Sequence, residues 1–304
     1  YLAQHPQQPR MAVAGRNRSK LEGVLNKLTG IDKQRVQSIE ILEASTSDPA
    51  SIKRMAASTK VVVNMVGPYA HLGGFEVAKA AAEAAAGYVD LTGESAFYAR
   101  VVEQLQAQAQ KTKAIIMPSV GFDSLPFDLG AYLAVQEVKK AAGPETPIGD
   151  VITGFNVKGT VSGGTIASVA GMRDVPEQLQ FTRSYWFSPV EGKAQKENAQ
   201  AHFLPQFKRW GAYSLLSPHN TRVIQRTWGI FDQAIGAAGY GGSFQYYEGM
   251  VSANVIVAWI VTYLMLALSF LVCHFEMFGK WITNRIPQGT GGSMEEQLKG
   301  WADI

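Results

Sequence analysis

Short apolar runs alternate with longer amphipathic runs over the first half of the 304-residue chain. Runs of four to seven apolar residues suit buried strands, and apolar positions that recur every three to four residues indicate helices. Strands that alternate with helices over short connections are typical of a parallel sheet covered on both faces. The predicted strands are Met11–Ala14, Val36–Leu42, Val61–Val66, Tyr88–Leu91 and Ala114–Pro118. The predicted helices are Ser19–Leu28, Pro49–Ser58, Gly74–Ala86 and Ala96–Lys111, with a further helix beginning near Pro126.

The pattern changes after about Ile148. Apparent strands are followed there by a polar and aromatic region that glycine and proline interrupt, which indicates a mixed α+β domain. We therefore predict an α/β chain of two domains. A parallel-sheet domain occupies residues 1–130, and a mixed α+β domain occupies residues 131–304.

The second domain contains a long apolar segment, Val251 to Phe275. No Asp, Glu, Lys or Arg lies between Glu248 and Glu276, and a bilayer-spanning helix needs about 20 apolar residues. Three structures are open: a spanning helix, a helix that dips into one leaflet or a lipid monolayer, and a helix buried in the core or in a dimer interface. Lys280, Trp281 and Arg285 follow the segment as candidate interfacial anchors.

Composition excludes several classes of protein. With 46% hydrophobic and 17% charged residues the chain is not a disordered polypeptide. Its net charge of +3 gives no support for nucleic-acid binding, so no nucleic-acid partner is expected. Cys273 is the single cysteine and forms no internal disulfide. No metal site is predicted.

Ligands of a doubly wound sheet bind at the carboxyl ends of its strands. In a dinucleotide fold an acid after the second strand binds the ribose of NAD, whereas an arginine there accommodates the 2′-phosphate of NADP. If the first predicted strand of this chain corresponds to that second strand, the residues after it are basic: Arg16, Arg18 and Lys20. The sequence therefore predicts NADP as the cofactor, with NAD as the alternative and a solvated basic helix start as the structural explanation. No G-x-G-x-x-G precedes this strand, so we expect the chain to begin after the first strand and glycine-rich loop of such a fold.

Three segments carry a family resemblance. They are "VVVNMVGPYAHLGGFEVAKAAAEAAAGYVDLTGE", "VGFDSLPFDLG" and "VSGGTIASV", with weaker support from "SMEEQLKGW" near the end. Together, in this order, they resemble the saccharopine dehydrogenase-like oxidoreductases, a family that includes the bacterial trans-acting enoyl reductases. The resemblance implies an NAD(P)-binding Rossmann-like domain that lacks its first strand and glycine-rich loop here, and a chain incomplete at both ends.

The other candidate cofactor-binding residues and the candidate catalytic residues lie in the loops at the carboxyl ends of the later strands. Asn64, Gly67, Pro68 and Tyr69 are predicted to border the nicotinamide, the alternative being a plain strand-to-helix turn. The catalytic group is unknown from sequence. The resemblance would allow Asp123 and Ser124 to face the substrate, whereas helix capping explains them as well.

Two further groups near these loops have structural and functional explanations. Asp90 and Glu94 form a candidate acid-base pair, for which loop hydrogen bonds are the favoured explanation. Ser162–Thr165, "SGGT", is a candidate anion-binding helix start.

The function predicted from the resemblance and these residues is hydride transfer between NADPH and a small or lipid-derived carbonyl, imine or enoyl substrate. The alternative is a catalytically inactive scaffold that keeps the reductase fold at a membrane. The apolar segment favours membrane association, with a lipid droplet, a mitochondrial membrane and a plastid membrane all open. A second copy of the chain, in a homodimer, or a partner in a membrane complex is the other expected partner of the protein.

Overall fold

A computed structural model of the protein describes residues 2–30, 32–156, 166, 168–169, 183–195 and 199–285. Its first half alternates strands with helices, as the hydrophobic pattern predicts. The strands are β1 (Ala12–Gly15), β2 (Glu40–Glu43), β3 (Val61–Asn64), β4 (Gly87–Asp90) and β5 (Ile116–Met117). The helices are α1 (Arg18–Leu28), α2 (Lys33–Gln37), α3 (Pro49–Ala57), α4 (Gly74–Glu83), α5 (Ser95–Thr112) and α6 (Leu125–Ala142), after a 3-10 turn at Leu2–Gln4.

One predicted strand is wrong over half its length. The run from Val36 to Leu42 was expected to be extended, but Val36 lies in α2 and the strand begins only at Glu40. The reason is that a helix begins at Lys33, which the apolar pattern alone does not predict. Asp32 caps α2 by accepting a 2.8 Å hydrogen bond from the backbone N–H of Arg35. Val36 then packs with Leu25 and other apolar side chains in a small cluster.

The strands of the first half form two parallel sheets. In one, β1 pairs with β2; in the other, the order is β3-β4-β5. Val13 lies opposite Ile41, and Val62 lies opposite Tyr88. If β1 is the second strand of a Rossmann fold, these orders correspond to 3-2 and 4-5-6 of the dinucleotide-binding arrangement. The parallel Rossmann-like domain is thereby confirmed.

Helices α4 and α5 cover one face of the β3-β4-β5 sheet. Alternate residues of β3 and β4 are buried beneath them, among them Val62 and Tyr88. Helix α4 is rich in alanine, and its residues Ala78 and Ala81 have no exposed surface. Small side chains allow the helix axis to approach the sheet closely. At Gly74 a Cβ atom would lie 2.9 Å from that of Tyr69, so any larger residue would move the loop before α4.

The second half forms a mixed sheet with the strand order β6-β9-β8-β7. Its strands are β6 (Asp150–Phe155), β7 (His202–Leu204), β8 (Arg209–Ala212) and β9 (Gln245–Ser252). Its helices are α7 (Ser217–Ile235), α8 (Val255–His274) and α9 (Glu276–Arg285), with 3-10 turns at Pro205–Phe207 and Gly236–Ala238. Helices α6 and α7 pack together around a core that includes Phe127, Ile224, Trp228 and Tyr246. Because α6 runs through residue 130, the division into domains at that point stays a prediction.

The predicted apolar helix is present as α8. Asn254 caps it by accepting a 3.0 Å hydrogen bond from the backbone N–H of Val257. Of the described residues, α8 alone is long and apolar enough to cross a membrane by length and composition, and only 17% of its apolar window is buried. Most of α8 therefore lies at the surface of the described part of the chain.

Candidate functional site

The candidate site lies where β3, β4 and β5 end, which we call the carboxyl edge. Three loops follow these strands: residues 65–73, 91–94 and 118–124. They are joined by a continuous network of buried polar groups. The network is the feature that decides which side chains remain accessible to a ligand.

Asn64 and Tyr69 hold the first loop from inside the protein. The Asn64 side-chain amide donates to the Tyr88 hydroxyl at 3.2 Å and accepts from the backbone N–H of Val66 at 3.1 Å. The Tyr69 hydroxyl donates to the backbone oxygen of Asn64 at 2.9 Å and accepts from the N–H of Leu91 at 3.3 Å. Both side chains are buried, as is Pro68 after a cis peptide bond. Of the four predicted residues in this loop, Gly67 alone is partly exposed.

Glu94, which is also buried, holds the backbone of the same loop. Its two carboxylate oxygens accept from the backbone N–H groups of Tyr69 at 2.8 Å and Ala70 at 2.9 Å. Ser168 donates to the same carboxylate at 3.1 Å. Carboxylates bind backbone N–H groups more strongly than neutral acceptors do. Glu94 therefore sets the position of the loop that is predicted to border the nicotinamide.

Asp90 joins the second and third loops. One of its oxygens accepts from the backbone N–H groups of Thr92 at 3.0 Å and Ser119 at 2.8 Å, and the other accepts from the Tyr88 hydroxyl at 2.9 Å. Burial raises the pKa of the Asp90 carboxyl to about 6 against these favourable hydrogen bonds. The arrangement agrees with the structural explanation of Asp90 and Glu94 that the sequence favoured.

His219 joins this network to the second half of the chain, and sequence reasoning passed over it. Its ring lies between the hydroxyls of Ser95 and Ser119, with Nδ1 and Nε2 each 2.9 Å from one of them. Because the Ser119 hydroxyl donates to the backbone oxygen of Thr92 at 2.7 Å, it accepts from Nε2–H, which leaves Nδ1 to accept from Ser95. Burial, together with Arg222, lowers the pKa of His219 to about 4. The imidazole is thus a neutral bridge between α7 and two loops of the carboxyl edge.

The two candidate catalytic residues lie in different environments. Ser124 is buried and donates a 2.8 Å hydrogen bond to the side-chain oxygen of Asn220. Asn220 in turn donates to Glu248, so Ser124 begins a second buried network. Asp123 is only half-buried, and burial raises the pKa of its carboxyl. Of the two, Asp123 is the one that a substrate at the carboxyl edge can reach.

The accessible side chains of the carboxyl edge are mostly apolar. Met65 is 72% exposed and Phe122 is 66% exposed, and Val66 and Leu91 are also exposed. The second and third loops touch closely, since a Cβ atom at Gly121 would lie 2.6 Å from the Cβ atom of Leu91. This edge therefore offers an apolar surface beside the half-buried carboxyl of Asp123.

The predicted phosphate-binding residues lie at the start of α1. Asn17 caps the helix by accepting a 3.0 Å hydrogen bond from the N–H of Lys20, and the side chains of Arg16 and Lys20 are exposed. Arg18 is paired with the carboxylates of Glu22 at 3.1 Å and Glu43 at 3.5 Å. Within the described ranges no ion pair of Arg16 is found. Of the two arginines here, Arg16 is therefore the candidate to bind a phosphate.

Ser162–Thr165, the predicted anion-binding helix start, lies outside the described residues. In the part of the chain that the structure describes, no group of three or more His, Cys, Asp or Glu side chains could hold a metal ion.

The parallel strands and the basic start of α1 define a nucleotide-binding domain of the Rossmann type. Residues 1–117 match the family described as the saccharopine dehydrogenase NADP binding domain. These residues thus belong to the saccharopine dehydrogenase NADP-binding domain family, and the chain is similar to saccharopine dehydrogenase-like oxidoreductases over most of its length.

Two mycobacterial relatives are similar to most of the chain. A Mycobacterium tuberculosis protein, provisionally named a trans-acting enoyl reductase, is 33% identical over an alignment of 278 positions that covers 86% of this chain and 63% of that protein. The trans-acting enoyl reductase of Mycobacterium bovis is 29% identical over an alignment of 322 positions, gaps included, that covers 99% of this chain and 74% of that protein. The chain thus spans less than two thirds of the length of the first of these relatives.

Among solved structures, apo histidine-tagged saccharopine dehydrogenase (L-Glu forming) from Saccharomyces cerevisiae is similar to part of the chain. Its TM-score is 0.38 at 14% sequence identity, over 56% of this chain and 37% of that one.

The residues present fit NADP as the cofactor of the matched domain. Its 2′-phosphate carries negative charge, and the exposed guanidinium of Arg16 stands at the positive N-terminal end of α1 with the ammonium of Lys20 nearby in sequence. Planar guanidinium donors suit a phosphate, so Arg16 and Lys20 are the groups that would hold it.

Proposed function

We propose that the protein is an NADPH-dependent oxidoreductase that reduces a carbonyl, imine or enoyl group of an apolar, lipid-derived substrate at a membrane or lipid-droplet surface. The observation that carries the proposal is the exposed guanidinium of Arg16 at the start of α1, which has no ion pair within the described part of the chain and lies within residues that match an NADP-binding domain. The names of the mycobacterial relatives support a reductase.

The chain's own residues have distinct tasks in this proposal. Arg16 and Lys20 bind the 2′-phosphate, and Glu94 and Asp90 hold the loops of the carboxyl edge in place. Bound NADPH supplies the hydride. A reduced substrate also needs a proton, and the half-buried carboxyl of Asp123, with its raised pKa, is the candidate donor.

An apolar substrate is favoured by the accessible surface of the carboxyl edge. Met65 and Phe122 are exposed there. A substrate with several carboxylates would need arginines that face it. Arg222 is instead fully buried and donates to the backbone oxygens of Arg183 and Pro218. Arg226 likewise donates to the backbone oxygen of Phe187.

Association with a lipid surface is supported by the exposed apolar side chains of α8. The same helix would serve the alternative function, an inactive membrane scaffold with a reductase fold. The two functions differ in turnover, because only the oxidoreductase would oxidise NADPH with a substrate.

The test is NADPH oxidation by the full-length protein, followed by absorbance with long-chain enones, long-chain ketones and short-chain analogues. We expect oxidation that depends on the substrate, is faster with long chains, and is reduced in Asp123→Asn. A protein that binds NADPH but oxidises it with none of these substrates would favour the scaffold.

A further inference from the structure

One side of α8 is buried along the length of the helix. Ala258, Thr262 and Val272 are buried, and Met265 and Ser269 between them are half-buried. These positions follow each other at intervals of four, three, four and three residues, so they form a single stripe. The Thr262 hydroxyl accepts a 3.0 Å hydrogen bond from the backbone N–H of Tyr213, which follows β8. Ala258 packs with Ala201 and Ala212.

The opposite side of α8 is exposed from end to end. Ile256 is 67% exposed and Leu264 is 63% exposed, and the exposed side chains of this face stay apolar up to His274, the last residue of the helix. The large ones on this face are Ile256, Val257, Ile260, Tyr263, Leu264, Leu268, Phe270 and Leu271. A helix of 20 residues is about 30 Å long, so the exposed apolar face has about that length.

The apolar surface continues past α8 and then acquires aromatic and basic residues. Phe275 and Met277 are exposed, Met277 to 85%. On α9 the guanidinium of Arg285 lies 5.2 Å from the ring centroid of the exposed Trp281. Tryptophan and basic side chains at the end of an apolar surface are typical of the membrane–water interface.

We infer that α8 lies in the plane of a phospholipid leaflet, with its exposed face inserted and its buried stripe still bound to the protein. The inference rests on the proposed lipid association and specifies its geometry. A spanning helix would need all of its sides in hydrocarbon or against other transmembrane segments, whereas the Ala258–Thr262–Val272 side of α8 is already buried, with Ala258 and Thr262 against the segment around β8. The occupant is lipid because the exposed face carries no charged side chain from Gly249 to Phe275 and ends in an aromatic and basic rim.

Depth-dependent fluorescence quenching tests this geometry. In the full-length protein with Cys273→Ser, single cysteines are introduced by Ile256→Cys, Ile260→Cys, Leu264→Cys and Leu268→Cys and labelled with NBD. Phosphatidylcholine vesicles carry spin labels either near the headgroups or near the bilayer centre. We expect all four positions to be quenched at similar, shallow depth. A spanning helix would separate positions 256 and 268 by about 18 Å along its axis.

Vesicle flotation with a matched pair of variants completes the test. Leu264→Asp places a charge on the exposed face of α8, and Leu133→Asp does the same at an exposed leucine on α6. We expect Leu264→Asp to lower the vesicle-bound fraction about tenfold or more, and Leu133→Asp to leave it unchanged. NADPH binding by Leu264→Asp verifies that this variant is folded.

The outcomes separate this inference from the proposed function. Flotation with a steep depth gradient would overturn the in-plane geometry and leave lipid association standing. No flotation of the wild type would overturn both, and would indicate that another protein surface covers α8. NADPH oxidation is measured independently of either result.

Discussion

The carboxylate of Glu94 accepts a 2.8 Å hydrogen bond from the backbone N–H of Tyr69, 25 residues earlier in the chain. The neighbouring amide of Ala70 donates to the second oxygen of the same carboxylate. The loop after β3 is therefore held by a buried acid at the start of α5, which positions the backbone around Gly67 at the carboxyl edge.

Glu94→Gln is expected to destabilise the protein by about 1.5 to 3 kcal/mol, because the glutamine nitrogen would face a backbone N–H and leave it without an acceptor. Urea unfolding measures the change. Glu103→Gln, the same substitution at an exposed position of α5, is the control and should be close to neutral. Equal stability of the two variants would show that Glu94 does not hold the loop.

Buried titratable groups give the protein a specific dependence of stability on pH. The pKa of His219 falls from 6.5 to about 4 on burial, so acidification between those values protonates the unfolded state first and destabilises the fold. The pKa values of Asp90 and Asp128 rise from 3.8 to about 6, again through burial, so acidification through that window stabilises the fold. The two effects oppose each other.

His219→Gln removes the first effect and keeps a side chain that can hydrogen-bond to Ser95 and Ser119. We expect the free energy of unfolding of this variant to increase more steeply than that of wild type as pH falls from 6.5 to 4. Asp128→Asn is expected to make the increase less steep. Urea titrations at a series of pH values measure both, and parallel pH profiles for wild type and His219→Gln would contradict the buried neutral imidazole.

Glu43→Gln should tighten NADPH binding. The Glu43 carboxylate lies 3.5 Å from the Arg18 guanidinium, so its neutralisation removes one of the two carboxylates that pair with Arg18 and a negative charge near the start of α1. For an exposed pair we expect a gain of about two- to fivefold, larger at low ionic strength. Glu40→Gln, at the other end of β2 and beside Arg10, is the matched control. A gain of the same size in both variants would indicate a general charge effect.

Substitutions of the two candidate catalytic residues, Asp123 and Ser124, should change different quantities: turnover for Asp123 and stability for Ser124. Asp123→Asn should lower turnover by about a hundredfold or more at nearly unchanged stability, as expected for a proton donor. Ser124→Ala leaves the side-chain oxygen of Asn220 without its donor and should cost about 1 to 3 kcal/mol of stability. Steady-state kinetics and urea unfolding on both variants measure these effects. Unchanged turnover in Asp123→Asn would remove it from the mechanism.

Much of the fold follows from local pattern, because β3, α4 and β4 combine clear apolar runs with an alanine-rich helix. The exception, Val36, shows a capping aspartate overriding a run of apolar residues. The same alternation that identifies β3 also places Asn64 on the buried face with Val62, so its polar character serves an internal network. Whether Asn64, Gly67, Pro68 and Tyr69 border the nicotinamide stays a prediction.

Other features depend on contacts that no local pattern contains. His219 meets Ser95 across 124 residues and Ser119 across 100 residues. The sequence likewise does not predict which side of α8 is buried, because the helix is apolar all round. Only small residues such as Ala258 distinguish the buried stripe. Long-range burial, rather than residue type, decides which of these groups are structural.

The most direct test of the account is a titration of the full-length protein with NADPH and NADH, followed by nicotinamide fluorescence. Arg10→Ala, an exposed arginine just before β1, is the control for Arg16→Ala. We predict that wild type and Arg10→Ala bind NADPH in preference to NADH, and that Arg16→Ala weakens NADPH binding about tenfold or more without changing NADH binding. Binding of neither nucleotide by wild type, or equal NADPH affinity in wild type and Arg16→Ala, would contradict the account.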